Sequence, residues 1–101
     1  MISVIAEVSV KADCVPDFLK VFKALVPTVR AENGCIEYFP TVDVDTQLPA
    51  QKLDGNRVVI LEKWDSVDAL HAHLQAPHMA TYREQVKDMV HHVALKVLRE
   101  A

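Results

Sequence analysis

Glycine is almost missing from this chain: Gly34 and Gly55 are the only two among 101 residues. Loops that wrap phosphate and the strained turn that presents a nucleophilic serine all need glycines at fixed offsets, so a P-loop, a dinucleotide fingerprint and a nucleophile elbow are excluded. Cysteine is equally scarce. Cys14 and Cys35 are too few for a disulfide framework and lack metal-ligand spacing, so reduced thiols in a reducing compartment are expected. Cys35, at the start of a strand, reads as a small buried residue rather than a reactive thiol. No apolar run approaches the ~18 residues of a membrane span, and no basic start followed by an apolar stretch marks a signal peptide. The expected location is cytoplasmic, away from the membrane. Neither sign of charge dominates, with a formal net charge of -3, and Lys and Arg are scattered rather than gathered into a basic stripe. Nucleic acid is therefore not an expected partner.

What is present fits one domain, residues 1–101, with 50% hydrophobic content. A chain of this size buries roughly 60 to 65% of its unfolded surface, so a partner subunit would add useful core. Near-strict alternation from Met1 to Lys11 predicts a half-buried strand. Asp13 is the expected cap of a helix carrying Val15, Phe18, Leu19, Phe22, Leu25, Val26 and Val29, which Asn33 and Gly34 end. Pro16 suits its first turn, whereas Pro27 predicts a kink or break near Ala24. Strands follow at Cys35 to Val44 and Arg57 to Trp64, separated by a polar connection of about a dozen residues, long enough to read as a flap or an extended hairpin over a pocket. Asp65 or Ser66 caps a helix through about Gln75, Pro77 starts another through about Lys87, and Val90 to Leu98 is a last strand. The order βαββαβ is that of an α+β, ferredoxin-like fold with four antiparallel strands and the helices on one face. Ile5, Val93, Leu95 and Val97 suggest a second apolar sheet face, which two sheets packed face to face would cover.

The chemistry concentrates between Leu61 and Met79, which holds the only Trp and three of the five His. Alternation sends Val58, Ile60, Glu62 and Trp64 to one face and Val59, Leu61 and Lys63 to the other. A carboxylate on an otherwise apolar face needs a partner or a raised pKa. In a cleft it could anchor a hydrogen bond; away from one it would form a structural ion pair. Trp64 alone fits a core, but His73, nine residues on, can return over the strand end and make with it a wall for a flat aromatic ligand. His71 and His73 fall on different sides of their helix, and His91 and His92 on different sides of their strand, so no metal pair forms locally; a mononuclear site would need His78 and a distant carboxylate, and no metal is expected. Tyr38 could aim its hydroxyl into a cavity or at solvent. Met79, Tyr82 and Arg83 could line the same cleft, where Arg83 would suit a phenolate or other anionic oxygen.

The stretch Glu32-Asn33-Gly34-Cys35-Ile36-Glu37-Tyr38, then Leu61-Glu62-Lys63-Trp64-Asp65-Ser66, Ala69-Leu70-His71-Ala72-His73 and Pro77-His78-Met79, resembles the antibiotic biosynthesis monooxygenase domain family, its quinol monooxygenase members included. The resemblance covers nearly the whole chain through an E-x-G-C-x-x-Y stretch, an E-x-W strand end and an H-x(4)-H helix junction. It implies a homodimeric α+β barrel of two ferredoxin-like subunits. It also implies oxidation of a small electron-rich aromatic, such as a quinol, by O2 as co-substrate with no metal, flavin or haem. By position, Trp64 would line the pocket and His73 would be its catalytic base or hydrogen-bond partner, with Glu62, Tyr38, His78, Met79, Tyr82 and Arg83 around the substrate. Haem-degrading members place Asn, Trp and His where this chain holds Val8, His73 and Arg83, and anthrone-oxidising members place an Asn where it holds Ile60. Neither substrate class is supported, and a quinol-type member remains. Two other functions stay open: a non-catalytic dimer that binds or senses a small aromatic, and an enzyme that processes a phosphorylated signalling molecule, with Arg57, Arg83 and the histidines as its only phosphate ligands.

Overall fold

The computed structural model describes residues 1–101. Alternating side chains make β1 (Ile2–Val10), which buries Ile2, Val4, Ala6, Val8 and Val10 on one face. Residues at helical spacing make α1 (Val15–Arg30), which buries Phe18, Phe22, Val26 and Val29. β2 (Cys35–Thr41) and β3 (Arg57–Trp64) follow, then α2 (Val67–Leu74), α3 (Pro77–Val86) and β4 (Val90–Leu98). The sheet is antiparallel in the order β2-β3-β1-β4. This is the ferredoxin-like βαββαβ arrangement, its second helical connection divided into α2 and α3. Pro77 divides it, at the first turn of α3, where its missing N–H is one the helix would leave unpaired anyway.

The core lies between the sheet and the helices. Phe18 and Phe22 are fully buried, their rings stacked 5.9 Å apart, and each such side chain contributes roughly 1.5–3 kcal/mol by leaving water. Of the two caps the sequence offers, Asp65 and Ser66, it is Ser66 that caps α2, its Oγ accepting a hydrogen bond from the Ala69 N–H at 3.1 Å.

Several expectations are corrected. Asp13 does not cap α1: its backbone is left-handed at φ 70°, Cys14 is the N-cap residue, and no side chain caps the helix. Pro27 does not break α1. Lys23, whose carbonyl loses its partner, and Pro27 are both on the exposed side, where water replaces the lost bond. β2 ends at Thr41 rather than Val44, because Asp43 turns the chain away by accepting the Asp54 N–H at 2.8 Å and pairing with Arg57 at 3.6 Å. The connection from Val42 to Asn56 covers no pocket. None of its residues lines a cavity, and Val42, Val44, Leu48 and Leu53 are exposed.

The expected second apolar face is also redrawn. Val93, Leu95 and Val97 pair with Val8, Ala6 and Val4, so they share the helix-side face of the sheet. They are about half exposed because the helices stop short of the edge strand. Ile5 does lie on the far face, across from Leu61, with Val59 and Phe39 on the same side.

Gly34 joins the two turns that carry the site. Its φ of 83° favours glycine, its carbonyl accepts the Asp65 N–H at 2.8 Å, and an added Cβ would sit 2.6 Å from the Ala69 Cβ. Gly34→Ala is expected to lower stability by about 2 kcal/mol or more, from left-handed strain plus the clash, as read by urea denaturation. A change under ~0.5 kcal/mol, typical of a neutral surface site, would show that this junction yields easily.

Candidate active site

Strand alternation delivers the first two groups. Glu62 and Trp64 sit on the inner face of β3, and both are buried. The Trp64 Nε1–H donates to Glu62 Oε1 at 2.9 Å, so the carboxyl is paired with an indole and not with a cation. The ion pair considered from the sequence is absent. Burial pushes the Glu62 pKa up to about 7; the indole hydrogen bond opposes this, and the charge of Glu32 adds to it.

α2 then turns back over the end of β3. His73, 1% exposed, lies with its ring centroid 4.6 Å from Trp64 and 5.4 Å from Tyr38, while His71 faces solvent. Tyr38 reaches the same place from β2, opposite Glu62 in the ladder, and continues the aromatic row to Phe22 at 5.4 Å. Burial pushes the Tyr38 phenol far above its ordinary range, aided by the charge of Glu62. Burial lowers the His73 pKa, with Glu32 acting in the opposite direction and His78 and Arg83 adding to the lowering. His73 is therefore a neutral imidazole at neutral pH.

Glu32 is the group that the sequence did not single out. It follows α1, and its Oε2 lies 2.9 Å from His73 Nδ1 and 2.8 Å from His78 Nε2. Three elements meet at one carboxylate oxygen. The side chains run from buried to accessible, His73 at 2%, Glu32 at 15% and His78 at 28% exposure. Their donor atoms lie within 4.8 Å of one another and form the one donor set in the structure that could hold a divalent cation. The only earlier signal was the first position of the E-x-G-C-x-x-Y stretch, which carried no chemical role.

The remaining candidates divide. Met79 is buried in the core. Tyr82 packs edge-on against Phe18 and Phe22, and with Arg83, Val86, Lys87, Val90 and Val93 it lines a cleft of about 230 Å³ between α3 and β4. Arg83 Nη2 donates to the Leu74 carbonyl at 2.6 Å, which fixes the guanidinium beside the end of α2. Burial raises the Tyr82 pKa above its ordinary range, and Arg83 is the cation that acts against this. The largest depression, about 420 Å³ between α1 and α3, is lined by Asp17, Lys20 and Gln85 among others and includes none of these groups. Trp64 and His73 line no cavity; they are packed against each other.

The family profile described as antibiotic biosynthesis monooxygenase matches residues 1–85. The chain belongs to the antibiotic biosynthesis monooxygenase family. It is 40% identical over 78 residues to the Escherichia coli K12 protein named "Probable quinol monooxygenase YgiN", spanning 77% of this chain and 75% of that one. The structure of Rv0793 from Mycobacterium tuberculosis superposes with a TM-score of 0.81 at 29% identity, covering 99% of this chain and 94% of that one. PA3566 from Pseudomonas aeruginosa, at 21% identity, shares the fold with a TM-score of 0.82 over 99% of this chain and 93% of that one. Family membership supports a function of monooxygenase type.

Proposed function

We propose that this member of the family oxidises a quinol or a related electron-rich aromatic with O2, using no metal or organic cofactor. The observation that carries the reading is the buried imidazole of His73, held against the Trp64 indole and tied to a carboxylate. Activating a phenol for one-electron transfer to O2 asks little of a protein: a base for the phenolic proton, a cation near the oxygen, and exclusion of water. His73 supplies the base and Arg83 the cation. Trp64 and Tyr38 supply flat apolar walls. The quinol gives its proton to His73, and the quinolate passes one electron to O2. Superoxide and the ring radical join to form a C–O bond, and the distal oxygen takes back the proton from His73; the C–H bond at that carbon then breaks, its electron pair forming C=O as the O–O bond cleaves and water leaves. In sum, quinol plus O2 gives hydroxyquinone plus water.

The cleft between α3 and β4 is the proposed entry, since it brings substrate to Arg83 and Tyr82. At about 230 Å³ it falls below the ~300–1,000 Å³ usual for small-molecule sites, which suits a small ring system. Passage of the substrate from this cleft to the His73 ring is part of the proposal, since the ring lines no cavity in this structure.

A homodimer belongs to the same reading. Ile5, Phe39, Val59 and Leu61 form an apolar row on the helix-free face, and the half-exposed column Val93, Leu95 and Val97 borders the cleft. Packing two such sheets together would cover the row. Light scattering at micromolar concentration is expected to give twice the 11.3 kDa chain mass; the chain mass itself would refute the dimer. For the reaction, a panel of reduced quinones under 18O2 is expected to give a product bearing one labelled oxygen. Binding of quinols with no product would leave a sensor of aromatic compounds in its place.

A further inference from the structure

Glu32 and His78 have no part in the steps above, yet they hold the proposed base. We infer that Glu32 is a positioning residue that fixes His73 with its proton on Nδ1, so that the lone pair of the neutral ring stands on Nε2 as the acceptor of the substrate proton. The inference rests on the oxygenase reading for its catalytic consequence and on geometry for the tautomer. A carboxylate only accepts hydrogen bonds, so a nitrogen 2.9 Å from Glu32 Oε2 carries its hydrogen. A neutral imidazole has one N–H, and the other nitrogen is then the base.

The fold keeps the carboxylate where this requires it. The Glu32 N–H donates to the Val29 carbonyl at 2.9 Å, and its carbonyl accepts the Cys35 N–H at 3.2 Å, so the backbone is held on both sides. His78 places a second ring nitrogen 2.8 Å from the same oxygen, which leaves Glu32 little freedom to rotate away. The α2–α3 junction fixes the two histidines relative to each other. The Ala76 N–H donates to the His73 carbonyl at 3.1 Å, and the Met79 N–H donates to the Ala76 carbonyl at 3.0 Å. The charged and titratable groups acting on His73 are Glu32 on the chain after α1 and His78 and Arg83 on α3. Only Glu32 among them is an acceptor at hydrogen-bond distance from the ring.

Carboxylate-oriented imidazoles show what such a partner contributes: without it the ring adopts the wrong tautomer and turnover falls by orders of magnitude while the fold survives. The test is long-range 1H–15N correlation NMR of the histidine rings in the full chain, beside quinol-dependent oxygen uptake. The parent is expected to show His73 protonated on Nδ1 and bare on Nε2. Glu32→Gln, whose amide can donate as well as accept, is expected to give mixed tautomers and at least a tenfold lower kcat with little change in KM. Glu32→Asp is expected to recover part of both. His78→Gln, which keeps the Glu32 to His73 bond, is expected to leave the tautomer in place. A parent His73 protonated on Nε2 instead would overturn the inference, as would Glu32→Gln with an unchanged tautomer and a kcat within twofold of the parent. The NMR reading does not depend on turnover. A fixed Nδ1–H tautomer without oxygen uptake would remove the oxygenase reading and leave the ring assignment standing.

Discussion

His73→Ala is expected to lower kcat for quinol-dependent oxygen uptake by about 10²–10⁴-fold, the usual contribution of a positioned general base. KM should change little, because the cleft residues Tyr82 and Arg83 proposed to receive the substrate are untouched. The parent's pH profile gives the sign independently. The active form is the neutral imidazole, and burial lowers the His73 pKa from the ordinary 6.5. The rate should therefore be level from neutral pH upward and fall only as pH drops below 6.5. A limb above that value would assign the base to another group. Since His73 is a core side chain 4.6 Å from Trp64, a fall caused by misfolding must be separated from lost chemistry. His73→Gln, larger than Ala and hydrogen-bonding, serves this purpose if its Trp64 fluorescence and urea midpoint match the parent. Turnover at the parent rate by a folded variant would take the role from His73.

Glu62→Gln is expected to stabilise the fold above neutral pH and to change it little in acid. The Glu62 pKa stands at about 7 in the folded chain against 4.5 for the ordinary group. Between those values the folded state binds the proton and the unfolded state has released it, so stability falls as pH rises through this window. The cost is absent below about pH 4.5 and complete above about pH 7. At about 1.4 kcal/mol per unit it amounts to about 3 kcal/mol. Glutamine keeps an oxygen to accept the Trp64 Nε1–H and carries no charge, so it removes the cost without removing the bond. Urea denaturation of parent and variant at pH 5 and pH 8 checks this. A stability difference that does not grow with pH would mean that water or a partner subunit already solvates the carboxylate.

Much of this was legible in the sequence, for identifiable reasons. A period of two put Glu62 and Trp64 on one face of β3 whatever the partner strands did. Pro77 and Ser66 set helix starts by local chemistry alone, so the α2–α3 junction was readable. Other features depend on contacts that no local pattern encodes. Glu32 meets His73 and His78 across 41 and 46 residues, and a Glu after a helix otherwise looks like a solvated charge. Alternation groups Val93, Leu95 and Val97 but does not say which face they join, because that follows from the register against β1. Pro27 is tolerated because of which side of α1 meets water, and Asp13 fails as a cap because its own residue adopts the left-handed turn.

Glu32, His73 and His78 make the type of donor set that binds iron in metal-dependent oxygenases, so the role of metal decides between two kinds of chemistry at one place. The most direct measurement is oxygen uptake with a reduced quinone by protein stripped of metal with a chelator, corrected for autoxidation. The expected result is an unchanged rate in stripped protein, no gain on adding Fe²⁺, and loss of the rate in His73→Ala. Loss of uptake on stripping, restored by Fe²⁺, would contradict cofactor-free oxidation and assign the three side chains to a metal.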